Sequence, residues 1–390
     1  MVAAGSFLAL FARAAWQVPA EWGGEWDRET TVLVASSVFH KQQHGIWAPM
    51  GYAVSPPDRR LIWKSEIYEP YHRQAGLIPI LLSVVAPTAE PEMDRFLLAS
   101  RFIFAALTSA AAALLIALVG SLAGLAASIG ALLVLFGSHY FHEFARSPYW
   151  ALFLPLAVVA WSWFVVGRGT GDSLRRTDLV VLALLVFIEC LTGYEFVTTA
   201  VVMPLAVVGY AASSRSLPRH VVIRMTIELL VAGFVGFATA FAAHVLFLSA
   251  TMGTQNALSN TVANAWKRSL GEATPLEGQV FGIYSAFAHD RFLAAVFLAW
   301  ALCIVVAVLR RRASPPDVRG LMVASVIAVG AAASWLILAR SHAALVPQYN
   351  MLPFYYGATI LMGAFLAKSV VSELRRVRRR RSPDSPRTRG

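Results

Sequence analysis

The chain has 390 residues, 57% of them hydrophobic and 14% charged, with a net charge of +11 and a mean hydropathy of +0.61. Soluble domains carry about 25% charged residues, so the composition excludes a soluble enzyme and specifies an all-α, polytopic transmembrane helical bundle. The positive charge lies beside apolar runs, which excludes a nucleic-acid partner in favour of membrane lipid.

A spanning helix needs about 20 apolar residues. In chain order, about eleven segments approach that length: Met1–Val18, Gly76–Ala86, Phe96–Leu118, Ala123–Gly137, Tyr149–Gly167, Leu179–Leu191, Phe196–Ala212, Met225–Ala250, Phe292–Leu309, Gly320–Ala339 and Asn350–Val371. The first carries Arg13 and no small-residue cleavage site, so it reads as a retained helix rather than a removed signal peptide. The outer loop 19–75 follows and holds most of the clustered carboxylates. Within it, Val32, Val34, Ala35, Val38 and Phe39 share one helical face. Asp27 starts that helix and Gly45 stops it, which predicts an amphipathic helix lying on the membrane surface. Pro56-Pro57-Asp58 marks irregular loop. Gly76–Ala86 is short and contains Pro79, as expected of a re-entrant or tilted element.

The basic clusters are Arg168/Arg175/Arg176, Arg215/Arg219/Arg224, Arg310–Arg312 with Arg319, and Arg375–Arg381. Each flanks a span, and the positive-inside rule places them on the cytoplasmic side. The alternate loops His139–Pro148, Thr192–Glu195, Thr251–Arg291 and Ser341–Gln348 then face outward. Residues 1–371 are expected to form one transmembrane domain. Residues 372–390 form a basic cytoplasmic tail, expected to be disordered and similar to polybasic segments held at anionic lipid. Two cysteines, Cys190 and Cys303, both in apolar runs, argue against a disulfide framework or a structural zinc site.

Candidate chemistry clusters in the outward loops. Asp27, with Glu25 and Glu29, suits a general base or a divalent-cation ligand, and equally a helix cap with solvated neighbours. The run Glu66 to Gln74 combines Glu69, Tyr71, His72, Arg73 and Gln74, which fits either a sugar or phosphate contact or an interfacial aromatic belt. His139, His142 and Glu143 have the wrong spacing for an HExxH zinc site, whereas Arg146 suits a phosphate or carboxylate partner. These residues are expected at a loop, where desolvation is small. Arg340, His342, Gln348, Tyr349 and Asn350 add a polar outer loop. Glu189, Tyr194 and Glu195 meet at another outer helix end. Glu228 and His244 are the ionisable groups expected deep inside helices.

A short first helix, an acidic loop with Asp27, a helix ending Gly45-Ile46-Trp47 and the run Glu69-Pro70-Tyr71-His72-Arg73-Gln74-Ala75-Gly76-Leu77 together resemble membrane glycosyltransferases of the C type (the GT-C superfamily). That group includes protein mannosyltransferase and aminoarabinose transferase relatives. Phe144-Ala145-Arg146-Ser147-Pro148 and Leu352-Pro353-Phe354 fit the same layout. The resemblance implies transfer of a sugar from a polyprenyl-phosphate donor to a glycan, lipid or protein acceptor on the extracytoplasmic face of the inner membrane. It implies Asp27, or Glu25, as the base. Glu69, Tyr71, His72, Arg73, Gln74, His142, Glu143, Arg146, Arg340 and His342 would line the substrate site. It implies no organic cofactor, with a divalent cation optional. The alternative is a transporter or flippase of an amphiphilic substrate, which predicts midplane charges and inverted repeats. An outer-surface ligase is a third reading.

Overall fold

The computed structural model describes residues 1–16, 28–55, 60–62, 67–72, 76–168, 173–193, 196–269, 290–309, 314–338 and 349–381. Helices dominate. They are α1 (Val2–Trp16), α2 (Arg28–His44), α3 (Leu77–Val85), α4 (Glu90–Ala123), α5 (Leu125–Gly137), α6 (His139–Ala145), α7 (Phe153–Arg168) and α8 (Arg176–Thr192). There follow α9 (Val197–Val202), α10 (Leu205–Arg215), α11 (Arg219–Met252), α12 (Thr254–Ser269), α13 (Arg291–Leu309), α14 (Pro316–Leu338), a 3-10 turn over Leu352–Tyr356, and α15 (Ala358–Arg381). Three short strands, β1 (Gly51–Ser55), β2 (Arg60–Ile62) and β3 (Ile67–Pro70), form an antiparallel sheet in the order β2-β1-β3.

Each apolar segment of the sequence is helical. Among the described residues, five stretches are long and apolar enough to cross a membrane alone: Glu92–Ala123, Val197–Arg215, Arg219–Ala250, Arg291–Leu309 and Pro316–Leu338. α5 and α6 form a further pair, bent by 79°. The chain is an integral multi-pass membrane protein. Its remaining apolar segments fold as shorter helices. α3 has 9 residues and reaches about 14 Å at ~1.5 Å per residue, too short for a bilayer core of about 30 Å. α4 and α11, with 34 residues each, reach about 50 Å and project beyond that core.

Without a hydrophobic drive between helices in lipid, close backbone approach has to hold the bundle. Small residues provide it. Gly130 of α5 and Gly363 of α15 face each other so closely that a Cβ on Gly130 would lie 2.2 Å from the Gly363 carbonyl oxygen. A Cβ on Gly236 of α11 would meet the Ala183 carbonyl of α8 at 2.3 Å. Both contacts are backbone and have no room to yield.

The two ends of the bundle differ in chemistry. At one end, Arg168 pairs with Asp178 at 2.5 Å, and Arg215 caps the Val166 and Gly167 carbonyls at 3.3 and 3.1 Å. Lys368 there bridges the Ala123 carbonyl and Asp317, both at 2.6 Å. Glu228, expected deep in its helix, also belongs to this end: it pairs with Arg224 at 2.9 Å and accepts from the Leu174 N–H at 2.9 Å. α15 continues through position 371 to Arg381, so the first part of the basic tail extends that helix.

The opposite end carries α2, the sheet, α3 and α6. α2 runs where the sequence placed a helix and stops at Gly45, whose φ of 93° suits only glycine. Its environment differs from the expectation of a surface helix. Every residue from Thr30 to Val38 is buried, because the sheet and α3 cover the face that would otherwise meet water.

Replacing Gly363 by valine should force α5 and α15 apart and destabilise the protein by about 1–3 kcal/mol. Gly330, whose Cβ would meet nothing within 4 Å, is the control: Gly330→Ala should leave the thermal midpoint in detergent unchanged. Equal midpoints for the two variants would contradict the close-contact account.

Candidate functional site

Gly137 ends α5, and the chain turns through Ser138 into α6. Ser138 caps α6 by accepting from the Phe141 N–H at 3.4 Å. Its hydroxyl also donates to the Asp290 carboxylate at 3.0 Å and lies 2.6 Å from the Tyr355 hydroxyl. Tyr355 donates to the same Asp290 oxygen at 2.9 Å, while the other oxygen accepts from the Leu293 N–H at 2.9 Å. Asp290 is therefore the N-cap of α13 and joins three elements at one point. The sequence carried its signal, an Asp immediately before an apolar helical run, yet that signal was not read.

α6 lies across this junction rather than in a solvated loop, and Tyr140 through Ala145 are all buried. The expected low desolvation penalty is thus corrected: Glu143 is 6% exposed and Arg146 3%, so each needs an opposite charge. Glu143 receives its opposite charge from Arg146. Arg146 approaches it at 3.2 Å and the exposed His139 at 3.5 Å. His142 is fully buried, with its Nε2 at 3.2 Å from the Phe136 carbonyl and its ring edge-on to Phe141. Its Nδ1 has no hydrogen-bond partner among the described residues.

An aromatic wall stands next to α6. Trp150 contacts Tyr149 at 4.7 Å, Tyr349 at 4.8 Å and Phe196 at 5.7 Å between ring centroids. Phe196 in turn contacts Trp335 at 4.6 Å and Tyr356 at 5.7 Å, and Phe144 of α6 closes on Tyr349 at 6.1 Å. Trp335 donates to Asn350 at 3.1 Å. Ala151, at φ 43°, holds a left-handed conformation unusual for a residue with a Cβ, and such strain concentrates at functional sites. Glu189 reaches this wall from α8 and is 3% exposed. With Thr192, Gly193, Tyr149, Trp150 and Tyr356 it lines a cavity of about 20 Å³, room for one water. Flat apolar faces thus stand beside a few fixed carboxyl, amide and hydroxyl groups, around a cavity far smaller than the several hundred Å³ of a ligand pocket.

A second polar group sits on the sheet. His40 stacks on Tyr68 at 3.6 Å with an interplanar angle of 11° and lies 4.4 Å from His44. Tyr68 donates to the Pro49 carbonyl at 2.9 Å, and burial raises its pKa. Lys41, 1% exposed, donates to the Ile46 and Ala48 carbonyls and lies 5.4 Å from the Phe247 ring, and burial lowers its pKa to about 8. Glu69 lies on β3 opposite Tyr52. Tyr71 meets Tyr52 edge-on at 6.0 Å, and its N–H bonds the Met50 carbonyl. His72, whose pKa burial lowers, offers its backbone to His244 of α11.

The structure thus brings His142, Glu143 and Arg146 together in α6, and gathers Glu69, Tyr71 and His72 at the sheet. Asp27, Glu25, Arg73, Gln74, Arg340 and His342 lie outside the described residues, as do Tyr194 and Glu195. Their chain neighbours Tyr349 and Phe196 are on the aromatic wall. Sequence reasoning also passed over Arg101, about three turns into α4 and 1% exposed. A charge inside an apolar span was the available signal. Among the described residues there is no cluster of three or more His, Cys, Asp or Glu placed to hold a metal ion.

No protein-family model matches the chain, and no curated protein matches it in sequence. A solved structure, the crystal structure of the Archaeoglobus fulgidus oligosaccharyltransferase in complex with zinc and sulfate, superposes with a TM-score of 0.49 at 13% identity. The match covers 98% of this chain and 50% of that one, so the chain spans about half its length. A likeness of this depth carries no argument.

Burial, then the neighbouring His44 and Lys41, hold the His40 pKa down to about 4. An unfolded histidine titrates near about 6.5, so the folded state binds the proton less readily and loses stability as pH falls from about 6.5 towards 4. Amide exchange over 28–55 should therefore be faster at pH 5 than at pH 7 after correction for intrinsic rates. His40→Phe, which keeps a ring on Tyr68, should flatten that difference. An unchanged difference in the variant would contradict the assignment.

Proposed function

We propose that the protein is a membrane glycosyltransferase of the C type that moves a sugar from a polyprenyl-phosphate-linked donor to a glycan, lipid or protein acceptor. The observation that carries this reading is the pairing of the aromatic wall with buried ionisable groups at the end of the bundle opposite the arginines. A lipid-linked sugar phosphate presents an apolar tail, an anionic phosphate and a polyhydroxylated ring at one membrane boundary. That end offers apolar helix faces, Arg146 and Glu189 with aromatic faces for the same three parts. By the positive-inside rule, the basic end is cytoplasmic and the reaction side extracytoplasmic, in the inner membrane.

The chemistry asked of the chain is modest. The acceptor hydroxyl oxygen bonds to the anomeric carbon while the bond from that carbon to the phosphate oxygen breaks. The polyprenyl phosphate leaves with the electron pair, and the hydroxyl proton passes to Asp27, or to Glu25. Arg146, with Arg73, Arg340 and His342, stabilises charge on the departing phosphate. Glu69, Tyr71, His72, Gln74, His142 and Glu143 line the sugar and acceptor. A divalent cation held by the acidic loop would assist the same departure.

The test is purified protein in lipid nanodiscs with a radiolabelled polyprenyl-phosphate sugar and an envelope lipid acceptor. Asp27→Asn should lower turnover about 10²–10⁴-fold, the usual worth of a positioned base. Glu25→Gln should then leave turnover nearly intact; the reverse pattern moves the base to Glu25. A donor carried across vesicle membranes with no new glycosidic bond would replace this reading with a flippase.

A further inference from the structure

A second cavity lies at the opposite end of the bundle from that site. A groove of about 850 Å³ opens at the basic end between α13, α14 and α15. Its walls are apolar, formed by Leu302, Val306, Ala307, Val318, Val371 and Leu374. Leu302, Val306 and Leu374 are 60%, 44% and 64% exposed, so the described residues leave the groove unfilled. The ionisable groups at its lining are Asp317, Lys368, Glu373, Arg375 and Arg376.

Their pairing leaves charge to spare. Lys368 is neutralised by Asp317 at 2.6 Å. Arg376 lies 3.7 Å from Glu373 across an exposed helix face, a weak contact. Arg375 adds a further positive charge, and Arg378 follows on the next turn of α15. Arg310, Arg311 and Arg312 follow α13 directly in sequence. An apolar slot at membrane depth ending under an arginine-rich rim complements a molecule with hydrocarbon at one end and an anion at the other.

We propose that this groove binds one anionic glycerophospholipid of the basic-side leaflet. Its acyl chains lie against α13 and α14, and its phosphate sits under Arg375 and Arg376. The site would be a specific one rather than general attraction of a polybasic tail, because it joins the charge to a shaped apolar slot. Its lipid would stay bound when bulk lipid is removed.

Native mass spectrometry of the full chain, released from nanodiscs of equal phosphatidylglycerol and phosphatidylcholine, tests this. One phosphatidylglycerol per chain should be retained, at least tenfold over phosphatidylcholine. The double variant Arg375→Glu/Arg376→Glu should lose it, and Ala307→Trp, which fills the slot with the arginines intact, should lose it as well. Retention by either variant, equal retention of both lipids, or displacement by inorganic phosphate would overturn the proposal. Should a variant fail to fold, the wild-type chain still decides. Cys303 lines the groove and Cys190 is buried, so phosphatidylglycerol nanodiscs should slow maleimide labelling of Cys303 at least fivefold relative to phosphatidylcholine. Equal labelling in the two lipids overturns the proposal.

Discussion

The Asp290 carboxylate is the point on which one end of this bundle depends. Ser138 at the α5–α6 bend, Tyr355 before α15 and the first turn of α13 all donate to it, from positions far apart in the chain. In a low-dielectric surrounding, the Leu293 N–H and one of the two hydroxyls, which bond each other at 2.6 Å, would be left without an acceptor if the carboxylate were lost. With it, the 79° turn into α6 is fixed, and α6 lies flat under the aromatic wall instead of continuing the span. The placement of His142, Glu143 and Arg146 follows from that single junction.

The division of charge between the ends is a second consequence of the membrane. At the basic end, Arg168, Arg215, Arg224 and Lys368 are satisfied by carbonyls at helix ends and by Asp178, Glu228 and Asp317, so their task is to anchor and orient. At the other end, ionisable groups are buried among rings. Glu143 is shared by Arg146 and His139, and Glu189 accepts from the Cys190 thiol at 3.3 Å. Burying charge in that way has no packing rationale that leucine would not serve better. This is the end to which the proposed function assigns the substrate.

The apolar segments were legible because hydropathy alone dictates a helix in lipid. The one helix with a misleading pattern was α2. Its one-sided apolar spacing suggested a surface helix, but Thr30, Thr31, Ser36 and Ser37 are buried beneath the sheet. The sheet itself was hidden in a segment rich in proline and charge, where Gly51 lets β1 approach Glu69 of β3 closely. His139–Pro148 reads as a polar cluster in a loop, since nothing local in the sequence announces that Asp290 and Tyr355 meet Ser138 at its start. Contacts such as Ser138 to Asp290, 152 residues apart, are invisible to periodicity. Arg101 was visible and overlooked.

The central claim is that a lipid-linked sugar phosphate enters between the helices at the end where α6 meets the aromatic wall. A polyprenyl-phosphate sugar carrying a photoreactive group on the isoprenoid nearest the phosphate tests it directly. Irradiated with the protein in nanodiscs and mapped by peptide mass spectrometry, the adducts should fall in residues 139–150 and 349–356. Adducts confined to α13, α14 and the arginine-rich half of α15, or adducts that excess unlabelled donor fails to suppress, would contradict it.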